Sequence, residues 1–214
     1  MAEKEKMMLV VVDMQRGFMP EEEGARLGLE GFGELPIAGG QEIIPKINQA
    51  IAWAKDHGVE VAASGDAHPP KTAHFDMWPV HAVDGTPGAM LHPDVEYDGK
   101  IWKKGMEVLE KAEDDDSYTA GNAKNPETGE SLVEYMKNKD ITRAVVVGLA
   151  VLDGEGDVCV DSTVRTLLNE GVSVWVANDA TCPIVPGNLQ AALEKLESLG
   201  ATVASTDEVL KLLS

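Results

Sequence analysis

The chain reads as one α/β domain over residues 1–214, a doubly wound, mainly parallel sheet with helices on both faces. Three observations predict that class. Residues 7–12 are an unbroken, valine-rich apolar run, as expected of a strand covered on both sides. Further strand-like runs alternate along the chain with segments of helical apolar spacing that stop at glycine. A length of 214 residues without internal repeat or low-complexity tract suits a single core.

After the first strand, residues 41–57 place Ile43, Ile44, Ile47, Ile51 and Trp53 at mainly helical spacing, and Gly58 ends the helix. Residues 59–63 make a second strand and 101–103 a short third one. A helix is predicted over 131–138, a buried strand over 143–148, and a helix over 160–170 stopped by Gly171. Residues 172–177 read as a strand and 189–199 as an amphipathic helix ended by Gly200. A last short strand over 201–204 precedes a helical tail at 207–213. Two stretches break the rhythm: 21–40, rich in Glu and Gly, and 106–126, with the acidic run Asp114-Asp115-Asp116. Both read as loops, and the acidic run as a solvated face.

A formal net charge of −19 argues against nucleic acid as a partner, since phosphate recognition needs basic patches. It argues equally against docking on anionic membranes. The charged start, Met1-Ala2-Glu3-Lys4-Glu5-Lys6, runs straight into a strand, and no apolar run has membrane-spanning length. Cys159 and Cys182 are the two cysteines and do not form a C-x-x-C pair, which suits a reducing cytosol. A cytoplasmic protein is expected. Cys182, beside Pro183 after a strand, reads as a structural thiol in a loop.

In parallel sheets ligands bind beyond the carboxyl ends of the strands. Asp13 follows the first strand, Asp66 and His68 the second, Lys103 and Lys104 the third, and Cys159 the strand at 143–148. All four groups therefore fall at one sheet edge. Asp13 either caps local backbone or serves as an acid/base group. Cys159 is either a buried structural thiol or a thiolate favoured by a helix N-terminus. Asp66, His68 and His81 are oxygen and nitrogen donors of the kind that Zn²⁺, Fe²⁺ or Mn²⁺ accepts. His74 is a further histidine near them and an accessory candidate; His92, in a Leu-His-Pro-Asp turn, reads as structural.

Taken together these segments resemble a known family. Val10-Val11-Val12-Asp13-Met14-Gln15-Arg16-Gly17-Phe18, Asp66-Ala67-His68-Pro69, and Trp78-Pro79-Val80-His81 with Gly85-Thr86-Pro87-Gly88-Ala89 are similar to nicotinamidases of the isochorismatase-like cysteine hydrolase superfamily. Lys103-Lys104-Gly105, Asp116-Ser117-Tyr118-Thr119, Gly148-Leu149-Ala150 and Asp157-Val158-Cys159-Val160 follow in the same order. The D-x-H motif separates this branch from plain isochorismatases. The resemblance implies the isochorismatase-like hydrolase fold, with Cys159 as nucleophile, Asp13 as general base and acid, and Lys104 as third catalytic member. It implies Asp66, His68 and His81 as ligands of one divalent metal, Zn²⁺ first with Fe²⁺ or Mn²⁺ as alternatives, holding the ring nitrogen of nicotinamide. Phe18 and Trp78 become candidate pocket walls, and Leu149 and Ala150, with a cis peptide between them, the turn that supplies oxyanion donors. Association into a homo-oligomer is also implied.

The chain departs from the pattern where Val151-Leu152-Asp153-Gly154-Glu155-Gly156 is inserted between Ala150 and Asp157. Such an insertion either loops outward or displaces the oxyanion donors. Two other functions stay open at this point: hydrolysis of another small amide, such as a ureido or carbamoyl compound, and small-molecule binding without turnover.

Overall fold

The computed structural model describes residues 6–112, 115 and 117–213. Six strands, β1 (Lys6–Val12), β2 (Glu60–Asp66), β3 (Ile101–Lys104), β4 (Ile141–Val151), β5 (Ser173–Pro183) and β6 (Thr202–Ala204), form one sheet in the order β3-β2-β1-β4-β5-β6. Every pairing is parallel. The expected fold class is the observed one.

Successive residues of a strand face opposite sides, and β1 uses this to feed two cores. Leu9 and Val11 pack beneath α2 (Ile44–His57) and Val209 of α6 (Thr206–Leu213). Met8, Val10 and Val12 pack with α3 (Leu132–Asn138), α4 (Cys159–Asn169) and α5 (Leu189–Leu199). From Met7 to Val12, β1 is buried on both faces, and the first polar residue after that run is Asp13. The strand order reverses direction between β1 and β4, and this is where such sheets open a crevice for ligands.

Three elements differ from expectation. The stretch 21–40 contains a helix, α1 (Glu21–Leu27), with three acids in its first turn and Gly28 in the left-handed conformation after it. Its end signals are present, but only Gly24 is buried, so no apolar face announces it. Strands β4 and β5 run on past 148 and 177, with shifts of register that pair Leu149 with Cys182 and Val151 with Pro183. Cys182 therefore lies in a strand, not a loop, with its thiol donating to Ala38 O at 3.1 Å. The irregularity absorbs the polar residues Asn178 and Asp179, which look like a turn in sequence.

The acidic run is not a solvated face at Asp115, whose side chain is 2% exposed and bound to His74. Asp114 and Asp116 lie outside the described residues, as do Met1 to Glu5. No described helix is long and apolar enough to cross a membrane.

Candidate active site

Four strand ends deliver the central side chains. Asp13 leaves β1 with φ 50°, an unusual backbone for any residue but glycine, and one that Asp tolerates better than most. Its turn is fixed by its N–H on Ser64 O at 3.3 Å, and Ser64 Oγ donates to its Oδ1 at 2.8 Å. Lys104 closes β3 and projects its ammonium between three groups: Asp13 Oδ2 at 2.9 Å, Asp66 in direct contact, and Cys159 Sγ at 3.6 Å. Cys159 opens α4, where first-turn N–H groups lack helical partners and the helix dipole is positive.

Burial dominates the electrostatics of this cluster. It pushes the Cys159 thiol well above its ordinary value, with Lys104 pulling the other way. It raises Asp13 too, again against the pull of Lys104. For Lys104 burial works toward deprotonation, but Asp13, Asp66 and Cys159 together hold the ammonium well above the usual lysine range. For Asp66, Lys104 and the nearby histidines outweigh burial, and the carboxyl stays well below the ordinary range. The cluster is one fixed cation between acidic groups, with a neutral thiol whose proton can go to a carboxylate made more basic by burial.

Beside it three imidazoles converge. His68, His74 and His81 each bring a ring nitrogen within 4.8 Å of the others. His68 Nδ1 faces Gly105 O at 3.1 Å and His81 Nδ1 faces Pro79 O at 2.7 Å, while His74 Nδ1 meets the Asp115 carboxylate. A carbonyl only accepts, so Nδ1 of His68 and His81 carries the proton in these bonds, and Nε2 is the ring nitrogen that can offer a lone pair to a metal ion. Nε2 of His68 and of His74 are buried with no hydrogen-bond partner. Asp66 Oδ2 lies 3.7 Å from His68 Nε2 and 3.8 Å from His81 Nε2. One carboxylate and three imidazoles, each ring tied back through its other nitrogen, fit a divalent first-row cation.

Two other acidic clusters make a useful contrast. Asp13, Asp66 and Cys159 surround the Lys104 ammonium, and Glu23, His92 and Asp94 surround Arg26, which bridges Glu23 at 2.5 Å and Asp94 at 2.9 Å. Each of these already has a cationic side chain. The histidine cluster, among the described residues, has none at its Nε2 atoms. His92 is fully buried, and its Nδ1 accepts the Asp94 N–H at 3.2 Å, in keeping with a structural residue.

Glycines make room for this packing. A Cβ on Gly105, whose φ is +68°, would sit 2.5 Å from the His68 ring. One on Gly148 would sit 2.2 Å from Val12 O, where β1 and β4 approach.

A narrow cleft, with a cavity volume of about 40 Å³, joins both clusters. Asp13, Lys104 and Cys159 line it with Asp66, His74 and His81. Phe18, Trp78, Leu149 and Ala150 also line it, and the Leu149–Ala150 peptide is cis. Phe18 packs on His81 with ring centroids 5.3 Å apart, and Trp78 Nε1 donates to Tyr118 OH at 2.9 Å. His68 sits behind this lining, stacked on His74 at 4.1 Å.

Sequence reasoning gave His74 only an accessory place and gave no site role to Asp115, Tyr118, Leu35 or Ile37. His74 joins the cluster on equal terms with His81, and its signal was the D-x-H-x₅-H spacing from Asp66. Asp115 carries no local signal. Tyr118 was noted within a family-like motif without a role, and Leu35 and Ile37 reach the cleft from a segment read only as a loop.

A parallel α/β sheet gathers a strand-end acid, a lysine and a helix-opening cysteine at its switch-point crevice. The isochorismatase domain family matches residues 7–208, and the chain belongs to that family. It is 29% identical to a nicotinamidase of Acinetobacter baylyi, over 94% of both chains. It is 28% identical to a nicotinamidase/pyrazinamidase of Mycobacterium tuberculosis, covering 89% of this chain and 94% of that one. The structure superimposes on a pyrazinamidase of Pyrococcus horikoshii in complex with zinc with TM-score 0.74 and 30% identity, covering 94% of this chain and 99% of that one. These relationships support amide hydrolysis by this chain.

Proposed function

We propose that the protein is a metal-dependent nicotinamidase of the cytoplasm, converting nicotinamide to nicotinate and ammonia through a thioester, in NAD salvage. Pyrazinamide, with a ring nitrogen in the same relation to its carboxamide, is expected to follow the same route. One observation carries the reading: a thiol, an acid and an ammonium in contact share a cleft with a histidine cluster in which Nε2 of His68 and of His74 have no hydrogen-bond partner. The relatives named above support the substrate class.

The steps follow from the side chains. Asp13 takes the Cys159 proton, and Lys104 beside both favours the carboxylate before transfer and the thiolate after it. Sulfur attacks the carboxamide carbon, and the carbonyl electron pair moves to oxygen, facing free N–H groups at the start of α4. Protonated Asp13 then gives its proton to the amide nitrogen, the C–N bond breaks, and ammonia leaves. Water, deprotonated by Asp13, attacks the thioester, and the C–S bond breaks to release the acid and restore the thiol. A divalent ion held by Asp66, His68, His74 and His81 would supply a Lewis-acid anchor for the ring nitrogen. Phe18 and Trp78 would wall the ring.

Ammonia release from nicotinamide, measured with and without a chelator, tests this. Activity is expected to vanish on chelation and return with one added divalent metal. Metal-loaded protein that releases no ammonia from nicotinamide overturns the reading.

A further inference from the structure

The segment inserted before the nucleophile neither loops outward freely nor drifts. Both its ends are fastened to one carboxylate. Asp161, fully buried in the first turn of α4, accepts the Leu152 N–H at 3.0 Å and the Val158 N–H at 3.5 Å. Leu152 follows the last residue of β4, and Val158 is the residue before Cys159. The loop is thus closed across its base by a side chain belonging to the nucleophile's own helix.

A second helix locks that closure. Lys195 of α5 places its ammonium 3.1 Å from Asp161 Oδ1 and 3.2 Å from Asp157 Oδ1. It also donates to Leu152 O at 3.1 Å and Gly156 O at 2.5 Å. Its side chain is only 16% exposed, unlike the surface lysines whose pairs contribute little. Asn188 holds Asp153 Oδ2 at 2.8 Å, and Arg165 holds Asp157 Oδ2 at 2.5 Å. Six side chains, from the loop, α4, and α5 with its N-cap, are therefore spent on a segment of which only Val151 joins the core.

What they fix is the backbone on which the tetrahedral step depends. Val158 stands as N-cap with no hydroxyl or carboxylate of its own, so Asp161 does the capping from inside the helix. The Cys159 N–H follows directly from that capped residue, and Leu149-Ala150 lies at the other root of the loop. The geometry points to Asp161 and Lys195 as a positioning pair that holds the Val158–Cys159 backbone in register for oxyanion binding. Neither lines the cleft. The inference rests on the thioester reading, because only a tetrahedral oxyanion needs that alignment.

The test separates a tetrahedral adduct from a planar ligand in the same pocket. Pyridine-3-carbaldehyde accepts the Cys159 sulfur at its carbonyl carbon: a C–S bond forms, the carbonyl pair moves to oxygen, and the thiol proton passes to Asp13 or that oxygen. Nicotinate fills the pocket with no tetrahedral carbon. In metal-loaded full-length protein, Lys195→Met is expected to weaken aldehyde binding about tenfold or more, the scale of a small misalignment at a reacting centre. Nicotinate affinity should stay within about twofold, and kcat should fall while KM holds. Lys195→Arg should restore most of the aldehyde affinity. Unfolding in equilibrium with the native state weakens both apparent affinities by the same factor, so simple instability cannot produce this split. Should Lys195→Met not fold, Asn188→Ala, which frees only the Asp153 end, is expected to show a split of the same sign, about threefold. Equal affinity changes for both compounds, or none for the aldehyde, would overturn the inference while leaving the function standing. Wild-type protein that binds neither compound overturns both.

Discussion

The two halves of the cleft meet at Asp66 and are built on opposite terms. On one side Asp13, Asp66 and Cys159 crowd a single ammonium, so the acidic groups have their counter-cation within the chain. On the other side three imidazoles are tied outward through Nδ1, to Gly105 O, Pro79 O and Asp115, with Nε2 turned inward. Burying polar atoms without partners costs stability, and two of these Nε2 atoms are so buried. The difference teaches a division of labour. The half completed by Lys104 can move protons and form bonds with its own side chains. The histidine half offers donor atoms that could hold a divalent cation.

Substitutions should uncouple the halves. Cys159→Ala removes the proposed nucleophile alone, and ammonia release is expected to fall about 10⁴-fold or more. Metal affinity should be unchanged, since Cys159 belongs to the other half. Activity within tenfold of wild type would show that the bond-forming half is misassigned.

His74→Ala strikes the opposite side. Metal affinity, read by competition with a chromogenic chelator, should weaken more than about 100-fold, beyond the usual cost of losing a supporting residue. Asp115→Asn keeps the His74 ring but weakens its outward anchor, and about tenfold is expected, with activity recovered at excess metal. If His74→Ala binds metal as wild type does, the cluster reduces to Asp66, His68 and His81.

Sequence alone reached the first half more fully than the second, for physical reasons. Asp13, Lys104 and Cys159 each end or follow a strand, and parallel topology gathers strand ends at one edge. That rule needs only local patterns. Asp66 and His68 share a strand end and were equally legible. His74 stands on a short 3-10 turn, Ala73–Asp76, whose direction follows from contacts rather than propensity. Asp115 reaches His74 from 41 residues away in sequence, inside an acidic run whose composition suggests water. The helix α1 and the long continuations of β4 and β5 were hidden likewise. Their residues are placed by tertiary pairing that overrides a weak or misleading local pattern. The insertion was visible as an insertion, but its fastening by Asp161 and Lys195 joins two helices that no local signal connects.

The smallest effect tests how finely the first half is tuned. Asp13 is raised by burial and restrained by Lys104, so its protonation should set an acid limb in the kcat/KM profile above the ordinary aspartate range. Activity is present above that pKa and is lost as pH falls through it, because a protonated Asp13 cannot take the thiol proton. Ser64 Oγ donates to Asp13 Oδ1 in a buried site, a bond that favours the charged carboxylate. Ser64→Ala should therefore move the acid limb to higher pH and cost about 1 kcal/mol, roughly fivefold in kcat/KM on the acid side of the limb and little well above it. Metal affinity should not change, since Ser64 contacts Asp13 and no imidazole. A pH–rate series on both proteins decides the matter. A limb that stays in place would mean that a group other than Asp13 sets it, and the base would have to be sought elsewhere in the cleft.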